Sequence, residues 1–211
     1  MGYALMKTTL NLPNRITVAR LGLAVVFFVL LSQYSQRSSQ PWMLDAAVVL
    51  FIVAAATDIV DGYIARTRGL VTPLGRVLDP LVDKVLVCGA FILFVGPGFV
   101  DANGHNVTEV SGWMVVVIVG RELLVTGLRG FNESVGKPLG ASIHGKLKMW
   151  MQSIAAPAVL FVIAHEDGWF SASSATGLKK ALVWATVAVT ALSAVHYLLH
   201  SRHILEESAP A

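Results

Sequence analysis

Six stretches of the chain, roughly residues 14–34, 44–66, 75–96, 112–131, 145–165 and 178–200, are each apolar over enough length to cross about 30 Å of hydrocarbon as a helix. Inside hydrocarbon every backbone N–H and C=O must be satisfied within the segment, so a chain of this kind is confined to packed helices. No long polar insert separates the stretches. The expectation is one all-α integral membrane domain over residues 1–211, a six-transmembrane-helix bundle. Composition agrees: 14% of the residues are charged, where soluble proteins have about 25%. Residues 1–12 are expected as a short interfacial helix and residues 203–211 as a frayed tail. Lys7, Arg15 and Arg20 ahead of Leu21 to Leu31 resemble a secretory signal, but no small-residue cleavage site follows and further apolar runs do. The stretch therefore reads as a first span. The single Cys88 excludes an internal disulfide and reads as a small core residue.

Placement of the basic residues sets an orientation. With a cytoplasmic N-terminus, all 16 Lys and Arg residues except Arg37, Lys179 and Lys180 fall on or near the cytoplasmic half. Trp42, Trp113 and Trp169 fall at the opposite ends of the spans, where an aromatic belt belongs. Both termini are expected in the cytoplasm. No nucleic-acid partner is expected.

The segment from Asp58 to Asp83 carries the chemistry. Asp58 and Asp61 lie three apart near the end of the second span; Asp79 and Asp83 lie four apart near the start of the third. Either spacing places a pair on one helical face. Pro73 and nearby glycines mark the turn between the helices. A chain folding back near residue 70 brings all four carboxylates to similar depth on two antiparallel helices. One ionised Asp at a helix centre costs roughly 2.5–3.5 kcal/mol on insertion scales, and four together repel one another. Acceptor-only oxygens in a cluster suit hard cations such as Mg²⁺ or Mn²⁺, and two such ions can bridge a pyrophosphate. A salt-bridge network with Arg66, Arg68, Arg76 and Lys84 is the structural alternative. Gly62 leaves backbone open to a ligand or permits close helix packing, and Arg66 is suited to phosphate oxygens.

The pattern Asp58-x2-Asp61-Gly62-x2-Ala65-Arg66-x8-Gly75-x3-Asp79-x3-Asp83 matches in full the signature of the CDP-alcohol phosphotransferase family, which this chain resembles. The resemblance implies six transmembrane helices, a homodimer, and an active site open to the cytoplasm. It implies that Asp58, Asp61 and Asp79 hold metal, with two Mg²⁺ or Mn²⁺ ions, and that Asp83 is the general base and also lies near a metal. Gly62, Arg66, Thr72 and Gly75 match donor-binding positions. Asn14 and Thr17, within Asn11-Leu-Pro-Asn-Arg-Ile-Thr17, resemble a first-helix segment that lines the nucleotide site.

Gly120-Arg-Glu-Leu-Leu-Val-Thr-Gly-Leu-Arg129 places Arg121 and Glu122 inside an apolar run, and Lys137, Lys146 and Lys148 follow. Anchoring at the cytoplasmic interface accounts for Lys137 and partly for Lys148, but poorly for Arg121. Cations near the carboxylates suit an anionic acceptor. This region is similar to the phosphatidylglycerophosphate synthases of the same family. The similarity implies CDP-diacylglycerol as donor and glycerol 3-phosphate as acceptor, its phosphate held by Arg121, Arg129, Lys146 and Lys148. It implies a bacterial inner membrane as the setting. Inositol phosphate or phosphatidylglycerol as acceptor is the alternative within the family, and an ion or proton transporter is the alternative outside it.

Overall fold

The computed structural model describes residues 12–38, 40–67, 73–134, 143–166 and 168–207, with side chains at all of these except 12–14, 59–67, 73–80, 143–144, 146 and 200–207. It contains six long helices: α1 (Leu12–Gln33), α2 (Pro41–Thr67), α3 (Pro73–Phe94), α4 (Gly112–Ser134), α5 (Ile143–His165) and α6 (Ala172–Glu207). Each coincides with one expected span. α2 and α3 start on a proline, whose missing N–H removes nothing in a first turn and whose fixed φ suits it. Residues 203–207 of the expected tail are helical, and 208–211 lie outside the described residues. α6 continues to Glu207, because no Gly or Pro interrupts the chain before Pro210. The expected interfacial helix at 1–12 lies outside the described residues apart from Leu12, the first residue of α1.

Four helices, α1, α2, α5 and α6, are long and apolar enough to cross a membrane by length and composition alone. α4 has 23 residues and carries Arg121, Glu122, Arg129 and Glu133. α3 has 22 residues and carries Arg76, Asp79, Asp83 and Lys84. At 1.5 Å per residue each is about 33 Å long, enough to span. The charges that lower their hydropathy are those of the site described below.

The helices pack in the order α1, α2, α5, α6, α4, α3, and α3 closes the ring on α1. α3 also touches α5 and α2, so it sits toward the middle. Phe27, Phe51, Phe91 and Phe94 are buried between them, with the Phe27 and Phe51 rings edge to face at 5.6 Å. Val25, Val116, Leu123, Leu192 and Leu199 are exposed on the outer surface. Large apolar side chains on the outside are what a lipid-facing bundle requires. The protein is an integral membrane protein.

One end of the bundle is closed by hydrogen bonds. Asn106 Nδ2 and Thr108 Oγ1 donate to the carbonyl of Phe94 at 2.8 and 3.1 Å, satisfying an end of α3. The N–H groups of His105 and Asn103 donate to Asp101 at 2.9 and 2.8 Å and hold its carboxyl below the usual range. Gln36 N–H donates to Gly98 O at 2.8 Å. Trp42, Trp113 and Trp169 are exposed at this end. A Cβ on Gly98 would lie 2.3 Å from the carbonyl oxygen of Tyr34, a backbone atom that cannot step aside. Gly98→Ala should therefore destabilise the bundle by about 1–3 kcal/mol, the usual cost of overpacking. Gly22→Ala, which meets nothing within 4 Å, should be neutral or slightly stabilising in α1. Thermal unfolding in detergent compares the two, and equal melting temperatures would contradict the close approach.

Candidate active site

The other end of the bundle gathers the charges. Antiparallel α2 and α3 bring Asp58 and Asp83 to one cavity of about 550 Å³, which Arg121, Glu122, Arg129 and Lys148 also line. The fold-back near residue 70 thus does what the spacing implied for these two residues. Asp61 and Asp79 sit one turn nearer the connection on the same helices, but their side chains lie outside the description. The same holds for Gly62 and Arg66 on α2, Gly75 on α3, Asn14 on α1 and Lys146 on α5. Thr72 lies outside the described residues altogether.

Asp58 is ion-paired with Arg20 of α1. Arg20 is only 1% exposed, so this charge left water entirely and needs the carboxylate. Sequence reasoning read Arg20 only as part of the basic bias at one membrane face. A signal was present: Thr17 and Arg20 are three apart, and both are buried on one face of α1. Thr17 therefore faces the bundle interior, compatible with the place expected for it.

Glu122 is the second anchor. It is 4% exposed and ion-paired with Lys148 of α5, and Arg121 Nη1 donates to its Oε1 at 3.2 Å. Lys148 is 7% exposed. Interface anchoring, the partial explanation offered for it above, does not by itself account for an ammonium buried against a carboxylate. Arg121 Nη2 donates to Ser193 Oγ of α6 at 2.7 Å, while its Nε has no partner among the described residues. Arg129 Nη2 donates to Tyr197 Oη of α6 at 2.6 Å. Glu122, Ser193 and Tyr197 were not expected as site residues. Only Glu122 carried a signal, since a carboxylate within an apolar run must find a cation.

Asp58 and Asp83 also border a second cavity of about 320 Å³ between α2 and α5. Apart from Ser153 its other walls are apolar, including Phe51, Ile52, Ala55, Trp150 and Ile154. The two carboxylates therefore stand where a chamber lined by charges of both signs meets a largely apolar one. Cys88, expected in the core, is half-buried near the polar chamber. Among the described residues no three His, Cys, Asp or Glu side chains form a metal-binding group. Of the four expected ligands only Asp58 and Asp83 have described side chains, and these are oxygen donors of the kind hard cations take.

A family model described as CDP-alcohol phosphatidyltransferase matches residues 10–192. The chain is similar to the CDP-diacylglycerol–glycerol-3-phosphate 3-phosphatidyltransferase of Bacillus subtilis (strain 168), at 41% identity over 157 residues, 71% of this chain and 76% of the relative. The protein of that name from Rickettsia prowazekii (strain Madrid E) is 36% identical over 150 residues, 71% of this chain and 75% of the relative. The one from Sodalis glossinidius (strain morsitans) is 28% identical over 203 residues, 94% of this chain and 98% of the relative.

Removing Glu122 should expose how far the site holds itself together. Glu122→Ala leaves Lys148 buried without its carboxylate, which costs about 3–5 kcal/mol for a broken buried pair. Adding Lys148→Met should recover much of that loss. Detergent melting curves of the single and double variants measure both effects, and an unchanged single variant would refute the buried pair.

Proposed function

The chain belongs to the CDP-alcohol phosphatidyltransferase family, and from that premise we propose that it transfers a phosphatidyl group from CDP-diacylglycerol to glycerol 3-phosphate, giving phosphatidylglycerol phosphate and CMP. The observation that carries this reading is the position of Asp58 and Asp83 between a charged cavity that holds Arg121, Arg129 and Lys148 and a largely apolar one. A lipid donor needs the apolar chamber, an anionic acceptor needs the arginines and lysine of the charged one, and the reacting phosphorus must lie where they meet. The names of the relatives supply the two substrates.

Asp83 accepts the proton of the glycerol hydroxyl. That oxygen bonds to the β-phosphorus of the donor, the bond from this phosphorus to the bridging oxygen breaks, and CMP leaves with the electron pair. Arg121, Arg129, Lys146 and Lys148 hold the acceptor phosphate. Among the described residues that line this cavity, Lys84, Arg121, Arg129 and Lys148 stand with Asp58, Asp83, Glu122 and Glu133, and Glu122 is paired with Lys148 and Arg121. On the donor side, Asn14, Thr17, Gly62, Arg66, Thr72 and Gly75 bind the CDP group, with Arg66 taking phosphate oxygens in a bidentate fork.

Asp58, Asp61, Asp79 and Asp83 would hold Mg²⁺ or Mn²⁺, in two sites. Bound there, the ions would neutralise the pyrophosphate and stabilise charge on the attacking and leaving oxygens. The protein would sit in a bacterial inner membrane as a homodimer, with the carboxylate end and both termini cytoplasmic.

Purified protein in liposomes with labelled CDP-diacylglycerol should release CMP faster with glycerol 3-phosphate than with inositol phosphate, inositol or phosphatidylglycerol. Preference for any of those three would move the acceptor assignment while leaving the family intact. Chelator should stop the reaction and Mg²⁺ or Mn²⁺ restore it, and Asp58→Asn or Asp79→Asn should abolish nearly all turnover in folded protein. Full turnover in metal-free buffer would refute the metal role. Orientation has its own test in a Cys88→Ser background. A cysteine replacing Asn103 should react with an impermeant thiol reagent outside intact cells, and one replacing Gly69 should not; the reverse pattern would invert the topology.

A further inference from the structure

We propose that Tyr197, assisted by Ser193 one turn earlier on α6, is a positioning residue that makes two arginines act as one phosphate clamp. The proposal rests on the acceptor reading above and extends it to residues outside the cavity wall.

Arg121 and Arg129 are eight residues apart on α4, so their backbones are separated by about 12 Å along the helix. Unconstrained, two like charges at that spacing diverge, and one small phosphate cannot be gripped by both. In the structure both guanidiniums fold toward one ring. The guanidinium carbon of Arg121 is 5.6 Å from the centroid of Tyr197, and that of Arg129 is 5.3 Å from it. The negative face of an aromatic ring offsets part of their mutual repulsion. The hydroxyls fix the rest of the geometry: Tyr197 Oη accepts from Arg129 at 2.6 Å and Ser193 Oγ accepts from Arg121 at 2.7 Å.

Tyr197 is 2% exposed and does not line the cavity that both arginines line. It therefore acts through them and not on the acceptor. Its place on α6 is enforced by register. Thr186, Thr190, Ser193 and Tyr197 are all buried at spacings of four, three and four, one polar stripe along an otherwise apolar span. Thr190 takes a bond from Gln152 of α5 at 3.2 Å, which holds the stripe against the bundle. A polar stripe in hydrocarbon is retained where each member has a partner, and the partners of the last two members are the clamp arginines.

The test is a kinetic split across a graded series. Tyr197→Phe keeps the ring and loses the acceptor for Arg129; Tyr197→Leu loses both; Ser193→Ala loses the acceptor for Arg121. KM for glycerol 3-phosphate should rise about three- to tenfold for Tyr197→Phe and Ser193→Ala, and at least about tenfold for Tyr197→Leu, as expected for loss of one and of two supports to charged contacts. KM for CDP-diacylglycerol should stay within about twofold, and melting temperature in detergent should be unchanged for Tyr197→Phe. Wild-type protein that releases no CMP with glycerol 3-phosphate overturns the acceptor assignment and this inference with it. Active wild type, with variants whose two KM values rise together or do not change, overturns this inference alone.

Discussion

The carboxylate of Glu122, ion-paired with Lys148 and hydrogen-bonded to Arg121, sits inside a bundle whose outer surface is built for lipid. Each ionised group at a helix centre costs roughly 2.5–3.5 kcal/mol on insertion scales. A chain can carry several such groups only by collecting them, so that each serves as another's counter-charge. That requirement fixes where α4, α5 and α6 meet. Glu122 ties α4 to α5 through Lys148, and Arg121 and Arg129 tie α4 to α6 through Ser193 and Tyr197. Polar residues act here as the adhesive that apolar surfaces cannot provide between helices in lipid.

The two ends of the bundle divide the labour. At one end the loop from 95 to 111 satisfies its own backbone and the end of α3, and a methyl group cannot be added at Gly98 without striking Tyr34. That end is a clasp. At the other end Arg20 holds Asp58, Glu122 holds Lys148, and the space between remains open as a cavity. Packing at the first end keeps six helices in register, so that charges on five of them can converge at the second. The reactive end needs such support because its own groups include like charges facing one cavity, Asp58 with Asp83 and Arg121 with Lys148.

The span boundaries and the meeting of Asp58 with Asp83 were legible because both depend on local rules. Length and apolarity define a span, and two helices joined near residue 70 must bring residues equidistant from that point to one depth. Arg20, Ser193 and Tyr197 were not legible as site residues. Their roles depend on how α1 and α6 are rotated about their axes, which no spacing within one helix determines. The partners are 38 residues apart for Arg20 and Asp58, and 72 for Arg121 and Ser193. Lys148 was half legible, since a lysine near a helix start fits an interface anchor as readily as a buried ion pair. α6 runs on to Glu207 because polarity after residue 200 ends the apolar span and not the helix.

The pairing of a lipid donor with a small ionic acceptor poses a problem that this arrangement answers physically. A diacylglycerol chain will not leave hydrocarbon, and a dianionic phosphate will not enter it. The reacting atoms can meet only where one wall is apolar and the opposite wall has already gathered positive charge. Phe51, Ile52, Trp150 and Ile154 form the first wall, and Arg121, Arg129 and Lys148 form the second. Asp58 and Asp83 border both, so a proton acceptor is available at the boundary without crossing it. Positive charge in that position also offsets the repulsion between an incoming phosphate and the carboxylates. Glu122 then has a further consequence for the acceptor. Paired with Lys148 and hydrogen-bonded to Arg121, its carboxylate keeps both cations on the cavity wall beside Arg129.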